Sequence, residues 1–268
     1  MKKHLLFLMA ASSLCFASTA FSQENSASHD NGLSSPINAN AEKDLQAEAQ
    51  AGSAISAPDN IVETSPENWS KMVNISAIGG HILGNPAAPT KIVEYASYTC
   101  GHCANFEVND APTLKLKYVA SGNVSYEMRN LARDAIDLTA AVLARCGGPE
   151  KFFANHYELM SRSKIWGTNA ANISEETKLQ SQNRNVTGMM IGVAKDVGMF
   201  QLMQINGYSE GEIMACLTST PSYNAVIAMT DQANYEKQIN ATPSFLVNEQ
   251  HNKQIYDLAS MIPFLPKE

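Results

Sequence analysis

The sequence has 268 residues, of which 26 are acidic and 19 are Lys or Arg, so its formal net charge is −7. This acid surplus argues against a dedicated nucleic-acid binder, which needs a basic face to displace counterions from phosphate. Apolar residues make up 44% of the chain, which is too high for a wholly disordered protein. Five cysteines are too few for a disulfide-stapled miniprotein, so their positions carry the information.

Residues 1–22 have the pattern of a secretory signal peptide. Lys2 and Lys3 precede the uncharged apolar run Leu5 to Phe16, which is shorter than a membrane span, and small residues follow it. Because Cys15 lies within this segment, four cysteines remain after cleavage. We therefore expect an exported, soluble mature chain with no transmembrane segment.

An exported chain enters an oxidising compartment, where disulfides form and persist. The sequence ends in Pro266-Lys267-Glu268 and carries no retention signal of the Lys-Asp-Glu-Leu type, which favours a bacterial periplasm over a eukaryotic secretory lumen. We expect the periplasm.

Residues 23–68 contain no aromatic residue and few side chains that could form a core. Such a stretch cannot offset its ordering entropy by burial, so we predict a disordered, low-complexity tether with a transient helix near Ala41 to Ala51. An oligomerisation element is the alternative, but the single Leu45 within that helix provides no heptad seam.

Residues 69–268 are about the right number for one domain. In chain order we predict a strand at Met72 to Ile78, a loop at Gly79 to Pro89, a strand at Lys91 to Ser97, a helix at Ala104 to Ala120 kinked at Pro112, and a strand at Val124 to Leu131. This order is a βαβ unit, and it places Cys100-Gly101-His102-Cys103 at the start of the helix.

That placement suits thiol–disulfide chemistry. The attacking species is a thiolate, which the unpaired N–H groups and the dipole of a helix N-terminus stabilise. Cys100, at the exposed helix start, is the expected nucleophile, and Cys103, one turn further, is the expected resolving thiol. His102 can donate a hydrogen bond or a positive charge to the nascent thiolate and so lower its pKa.

A zinc half-site is the alternative interpretation of Cys-x-x-Cys. Zinc needs two further ligands at matching spacing, whereas Cys146 and Cys216 stand alone. His81, His156 and His251 also lack metal-ligand spacing and are interpreted as loop or surface residues. We therefore expect neither a metal nor a cofactor.

Glu94 lies six residues before Cys100 on the strand that we predict to be buried, and it shares a face with Ile92 and Ala96. A buried acid is costly without a role. We interpret Glu94 as a buried proton acceptor for Cys103, with an ordinary surface glutamate as the alternative.

Thr242-Pro243 precedes an apolar strand at Ser244 to Val247. A cis bond here would turn the Thr242 backbone toward the dithiol, where its N–H and C=O can pair with an extended substrate. Since an X-Pro bond is usually trans, the trans form is the alternative.

Ile92 to Cys103, followed by a long helical stretch and then Thr242 to Phe245, resembles the DsbA-like branch of the thioredoxin superfamily over about residues 69–262. The resemblance implies an α/β thioredoxin fold with an inserted helical subdomain at about 132–240. It also implies redox roles for the two cysteines, with the site residues Cys100, Cys103, His102, Glu94 and Pro243. Gly101 gives the motif of protein disulfide isomerases, which leaves that activity open.

The insertion contains several helix signals: Asp137 to Cys146, Pro149 to Arg162, a capping box at Ser209 and Glu212, and Thr220 to about Lys237. Cys146 and Cys216 fall on two of these helices. In an oxidising compartment we expect them to form a second disulfide, as in some DsbA-like proteins, with free buried thiols as the alternative.

Two classes of function follow. The leading hypothesis, which the resemblance to DsbA-like proteins implies, is an enzyme that passes the Cys100–Cys103 disulfide to reduced exported proteins and is reoxidised by a membrane partner. Within the same chemistry, the alternative is an isomerase or reductase that acts on misoxidised proteins and is kept reduced by another partner. The other class is a metal- or peptide-binding chaperone without turnover.

Overall fold

The computed structural model describes residues 68–267, so the expected signal peptide and nearly all of the expected tether lie outside the described residues. A mixed six-stranded sheet runs through the described part in the order β1-β2-β4-β3-β5-β6. Its strands are β1 (Val73–Ile75), β2 (His81–Gly84), β3 (Thr90–Ala96), β4 (Val124–Asn130), β5 (Ser244–Val247) and β6 (Gln250–His251).

The two central strands, β3 and β4, are parallel, and every other pairing is antiparallel. Every residue of β4 is buried, as are the last five of β3, because helices cover both faces of this pair. The connection from β3 to β4 is the predicted βαβ crossover. It brings the carboxyl ends of both strands to one edge of the sheet.

The prediction for the first strand was wrong in its extent. One strand at 72–78 and a loop at 79–89 were expected, but the chain forms a hairpin of β1 and β2. The turn between them contains Gly79, whose φ of 93° favours glycine. Since β2 is held by pairing with β4, its formation depends on tertiary contact rather than on its local sequence.

The crossover helix begins at Gly101, three residues earlier than predicted. It consists of α1 (Gly101–Asn105), a π-helical segment (Phe106–Asp110), α2 (Ala111–Thr113) and a second π-helical segment (Leu114–Val119). In the first π turn, the Ala111 N–H donates to the Phe106 carbonyl. Pro112 has no N–H to donate, which is consistent with an interrupted helix at this point.

Eight α-helices and a short 3-10 helix (Ala170–Asn172) lie between β4 and β5, within the predicted insertion. The α-helices are α3 (Ala135–Ala144), α4 (Pro149–Ser161), α5 (Ser163–Asn169), α6 (Glu175–Gln182), α7 (Val186–Asp196), α8 (Met199–Ile205), α9 (Glu210–Leu217) and α10 (Thr220–Asp231), which continues as a π-helical segment (Gln232–Glu236). The expected capping box begins α9. A short helix, α11 (Leu258–Met261), follows the sheet, and within residues 68–267 no helix has the length and apolarity to cross a bilayer.

The core has two main parts. One packs the crossover helix against the sheet and includes Ile92, Phe106 and Tyr126. The larger part is formed mainly by the inserted helices, and it includes both Cys100 and Cys103. The dithiol therefore lies where the sheet meets the insertion.

Candidate active site

Cys100 occupies the N-cap of α1, in an extended conformation with φ −100° and ψ 115°. Cys103 lies in the first turn of the same helix, and both cysteines are free thiols. The expectation of an exposed Cys100 was wrong, since only 6% of its surface is exposed, against 1% for Cys103. The inserted helices account for this burial because they close over the helix start.

The environment of Cys100 favours a thiolate. Its pKa is lowered to about 5, first by a hydrogen bond with the Cys103 thiol. Burial opposes this effect, while the backbone N–H groups of Cys103 and His102 add to it. The Cys100 Sγ lies 3.1 Å from the Thr242 carbonyl oxygen, which can only accept a hydrogen bond, so this contact favours the protonated thiol and opposes the effect. At neutral pH, Cys100 is therefore ionised.

Cys103 has the opposite character. Burial raises its pKa well above the ordinary value, and its hydrogen bond to Cys100 and the charge of Glu94 raise it further. The two thiols of one helical turn thus differ strongly in acidity, as a nucleophile and a resolving thiol require.

His102 lies on the surface with an exposed side chain. The backbone N–H of His102 stabilises the Cys100 thiolate. Among residues 68–267 the imidazole has no hydrogen-bond partner, and its tuning of Cys100 through positive charge stays a prediction.

Glu94 is buried on β3 with 2% of its surface exposed. Burial raises its pKa to about 8, although a hydrogen bond from the Tyr126 hydroxyl acts to lower it. The carboxyl group also interacts electrostatically with both cysteines. The structure thus places a protonated carboxyl group beside the dithiol at neutral pH.

The Thr242–Pro243 peptide bond is cis. Strand β5 pairs with β3 in the register Tyr95 to Ser244, which places Thr242 alongside the turn that leads to Cys100. The sequence-predicted residues Cys100, Cys103, Glu94, Thr242 and Pro243 are therefore brought to one site.

Two buried histidines were missed by the sequence interpretation. His156 and His81 are 1% and 2% exposed, so their assignment to loops or the surface was wrong. The His156 Nδ1 lies 2.8 Å from the Tyr98 hydroxyl, its Nε2 lies 3.5 Å from Glu107, and His81 stacks on Phe152. The spacing of positions 152, 156 and 159 on one helical face was the signal that could have identified His156.

Asp137 was also missed, because the sequence interpretation treated it only as the start of a helix. Its side chain is 1% exposed and accepts hydrogen bonds from Ser97 and Tyr98, next to the dithiol. Burial raises its pKa to about 6, and the hydrogen bonds act against this. The carboxyl group is therefore mostly ionised at neutral pH.

A groove of about 380 Å³ opens beside Cys100. It is bounded by the dithiol turn, by the start of α3 and by α5. Its walls are formed by Tyr98, Thr99, Cys100, Gly101, Asp134, Ile136, Ser163, Lys164, Trp166, Gly167 and Ala170. Both apolar and charged side chains thus face the space in front of the thiol.

Cys146 and Cys216 form a disulfide, with their Cα atoms 5.5 Å apart. They are therefore unavailable as the two further ligands that a zinc site at Cys100 and Cys103 would need. Within residues 68–267, no group of three or more His, Cys, Asp or Glu side chains is arranged to hold a metal ion.

The chain matches the family model described as thioredoxin over residues 76–262, which is more than half of its length. It therefore belongs to the thioredoxin family. The helical insertion between β4 and β5 gives it the DsbA type of this fold.

Particular relatives agree with this assignment. A protein-disulfide isomerase structure from Novosphingobium aromaticivorans is 32% identical, with a TM-score of 0.64 over 69% of this chain and 94% of that one. The Wolbachia pipientis alpha-DsbA1 structure shares the fold at 23% identity, with a TM-score of 0.56 over 71% and 90% of the two chains.

A Rickettsia typhi protein that is named a protein-disulfide oxidoreductase is 29% identical to this chain. The match covers 62% of this chain and 54% of the Rickettsia protein. This chain spans about half the length of several curated relatives that it matches.

Proposed function

We propose that this chain is a periplasmic thiol–disulfide oxidoreductase that introduces disulfides into reduced exported proteins. The observation that carries the proposal is the placement of the two thiols, with Cys100 at the N-cap of α1 and Cys103 buried in its first turn, which makes their acidities differ. The pKa of Cys100 is about 5, whereas that of Cys103 lies well above the ordinary value. A stable thiolate favours the reduced form, and a dithiol that is stable when reduced makes a strong oxidant when it is a disulfide.

The first step is attack by a substrate thiolate on the Cys100 sulfur of the oxidised protein. A substrate–Cys100 disulfide forms as the Cys100–Cys103 bond breaks, and the electron pair leaves with Cys103. Because the pKa of Cys103 is high, this sulfur takes up a proton, and Glu94, protonated at neutral pH, is the nearby donor.

In the second step, a second substrate thiolate attacks the substrate sulfur of the mixed disulfide. The substrate disulfide forms and Cys100 leaves as a thiolate, which is fast because a low-pKa thiol is a good leaving group. An extended substrate segment beside Cys100 would pair with the backbone of Thr242 next to Pro243. The substrate is oxidised by two electrons and the dithiol is reduced by two.

The proposed location rests on the signal-like sequence of residues 1–22, with residues 23–68 as a tether to the catalytic domain at 69–268. Each turnover leaves two electrons on the dithiol. A membrane redox partner would accept them and restore the disulfide.

An isomerase or reductase is the second candidate. It is favoured by the 32% identical protein-disulfide isomerase structure and by the Cys-Gly-His-Cys motif. An isomerase is kept reduced, and it uses the Cys100 thiolate to attack wrong disulfides in misoxidised proteins.

The reduction potential of the dithiol, measured by equilibration with glutathione, distinguishes the oxidase from the isomerase or reductase. A value near −120 mV, like that of DsbA, is expected, whereas a value near −270 mV, like that of thioredoxin, would remove the oxidase proposal. In parallel, the purified protein should oxidise a reduced protein efficiently and unscramble a misoxidised one poorly. The reverse result would favour the isomerase.

A Cys100→Ser variant tests the non-redox class. Thiol–disulfide exchange requires this sulfur, so near-complete loss of activity is expected. A chaperone that binds peptides without turnover would keep its function in this variant.

A further inference from the structure

The turn that precedes helix α1 and ends at Cys100, residues 97–100, has few hydrogen bonds between its own residues. One backbone hydrogen bond closes it, from the Cys100 N–H to the Ser97 carbonyl at 3.2 Å. The Thr99 N–H donates to the Ser97 hydroxyl oxygen, also at 3.2 Å. Both hydrogen bonds lie at the long end of the usual N–H···O range, so they are weaker than shorter ones.

The stronger contacts come from the helical insertion, through one carboxylate. Asp137 lies in the first turn of α3, 39 positions beyond Tyr98. Its Oδ1 accepts from the Tyr98 N–H at 2.7 Å, and its Oδ2 accepts from the Ser97 hydroxyl at 2.5 Å and from the Arg133 N–H at 3.0 Å. All three groups are donors, which suits an ionised carboxylate.

Arg133 adds a second set of contacts to the same turn. Its Nε donates to the Ser97 hydroxyl oxygen and its Nη2 to the Thr99 hydroxyl oxygen, each at 3.0 Å. Because the backbone N–H of Arg133 is bound to Asp137, the carboxylate also holds the residue that makes these contacts.

The side chain of Tyr98 is anchored in the insertion as well. Its hydroxyl lies 2.8 Å from the Nδ1 of His156 on α4. Tyr98 is therefore held at its backbone by α3 and at the end of its side chain by α4. The residue two positions before the nucleophile has little freedom to move.

We propose that Asp137 is a positioning residue for the dithiol, which fixes the turn at residues 97–100 and so sets the place of the Cys100 sulfur relative to the helix N-terminus and Thr242. The inference deepens the proposed function and rests on it. It gives the helical insertion a role in the reaction beyond covering the sheet.

The test replaces the carboxylate without changing its size, as Asp137→Asn. The rate at which dithiothreitol reduces the oxidised protein should fall about 10- to 100-fold, since small displacements of a reacting atom have effects of this size. In the reduced protein, the pKa of Cys100, followed by thiolate absorbance, should rise toward its ordinary value.

Asp196 provides a matched control. It accepts hydrogen bonds from the Ser174 N–H, the Ser174 hydroxyl and the Thr177 hydroxyl at 2.7 to 2.9 Å, and it lies on α7, which does not line the groove. Asp196→Asn removes a similar set of contacts elsewhere in the insertion. It should leave both the exchange rate and the Cys100 pKa unchanged.

Ser97→Ala is the second variant, and it decides the question if Asp137→Asn does not fold. It removes one donor to Asp137 from a buried position, so it should shift both measurements in the same direction by a smaller amount. An Asp137→Asn protein that exchanges within twofold of the wild type would overturn the inference. So would a lower Cys100 pKa at an unchanged rate, because the carboxylate would then act through its charge alone.

Failure of the proposed oxidoreductase function can be distinguished from failure of the inference about Asp137. Wild-type protein that does not exchange disulfides with any dithiol would remove that proposal. The titration of Cys100 in Asp137→Asn would still report whether the carboxylate positions the sulfur.

Discussion

At the scale of single residues, two buried carboxyl groups near the dithiol have opposite protonation behaviour. The pKa of Glu94 is raised to about 8 by burial. Burial also acts to raise the pKa of Glu107, but His156 and Lys115 outweigh it, so this pKa is lowered. The Lys115 Nζ lies 2.6 Å from Glu107. One acid is therefore a source of a proton at neutral pH, and the other is a fixed negative charge.

We predict that Glu94→Gln has a pH-dependent effect on stability. The native pKa of Glu94 lies above the unfolded value, so ionisation lowers the stability of the wild type as pH rises from about 5 to 8. Glutamine does not titrate. The free energy of unfolding of the variant should therefore rise relative to that of the wild type across this range by a few kcal/mol, at ~1.4 kcal/mol per pKa unit. Urea unfolding at both ends of the range measures this gain.

The same variant should form mixed disulfides with substrate more slowly, because glutamine cannot pass a proton to the leaving Cys103 sulfur. Glu107→Gln is the control. It leaves the Lys115 ammonium without its carboxylate, so it should be less stable than the wild type and show no gain between pH 5 and 8. A stability difference for Glu94→Gln that is the same at both pH values would contradict the assignment of Glu94 as protonated.

These residue-scale features differ in how well the sequence predicts them. Glu94, Cys100 and Cys103 could be identified because they lie within ten positions of one another, on one strand and the turn after it. Asp137 could not, because it contacts the Cys100 turn across 39 positions, and helical spacing could mark His156 as buried but not as the partner of Tyr98, 58 positions away. Nothing local distinguishes an acid that supports another turn from one that only begins a helix.

At the scale of elements, the parallel pair β3 and β4 was predictable because apolar runs of this length mark buried strands. Strand β2 was not, because its residues have turn-like neighbours and it forms by pairing with β4. The start of α1 was placed three residues too late because Gly101 and His102 are not strong helix formers. What fixes the start is the N-cap conformation of Cys100.

That conformation leads to a prediction for Gly101. It is the first residue of α1, a Cβ there would meet no atom within 4 Å, and Cys100 already has the extended backbone that precedes proline. Gly101→Pro should therefore stabilise the protein, by about 0.4 to 1 kcal/mol, since proline restricts the unfolded chain. Thermal unfolding of the reduced protein measures the change.

Gly167→Pro is the matched control for this variant. Gly167 also has open space around its Cβ position, but it lies inside α5, where proline removes a helical hydrogen bond. A loss of about 3 kcal/mol is expected there. If Gly101→Pro were destabilised as well, the assignment of residue 101 to the first position of α1 would be wrong.

At the scale of the whole molecule, two disulfide-forming pairs serve different parts of the chain. The Cys100–Cys103 pair lies at the junction of the sheet and the insertion, and the Cys146–Cys216 bridge lies within the insertion. The first pair could be assigned from its Cys-x-x-Cys spacing. The assignment of the second pair depended on the expected oxidising compartment and on the resemblance to DsbA-like proteins. The bridge joins the chain just beyond α3, the helix that carries Asp137, to α9.

We predict that the Cys146→Ser, Cys216→Ser double variant is less stable but still active. The bridge closes a loop of 70 positions, and its removal should cost about 4 kcal/mol through the entropy of the unfolded chain. The first turn of α3, which contacts the Cys100 turn, is held separately by its own N-cap, Asp134. The urea midpoint should therefore fall while the exchange rate with dithiothreitol at room temperature stays within a few-fold of the wild type. A large loss of exchange in a variant that remains folded would show that the bridge, and not Asp137 alone, maintains the position of Cys100.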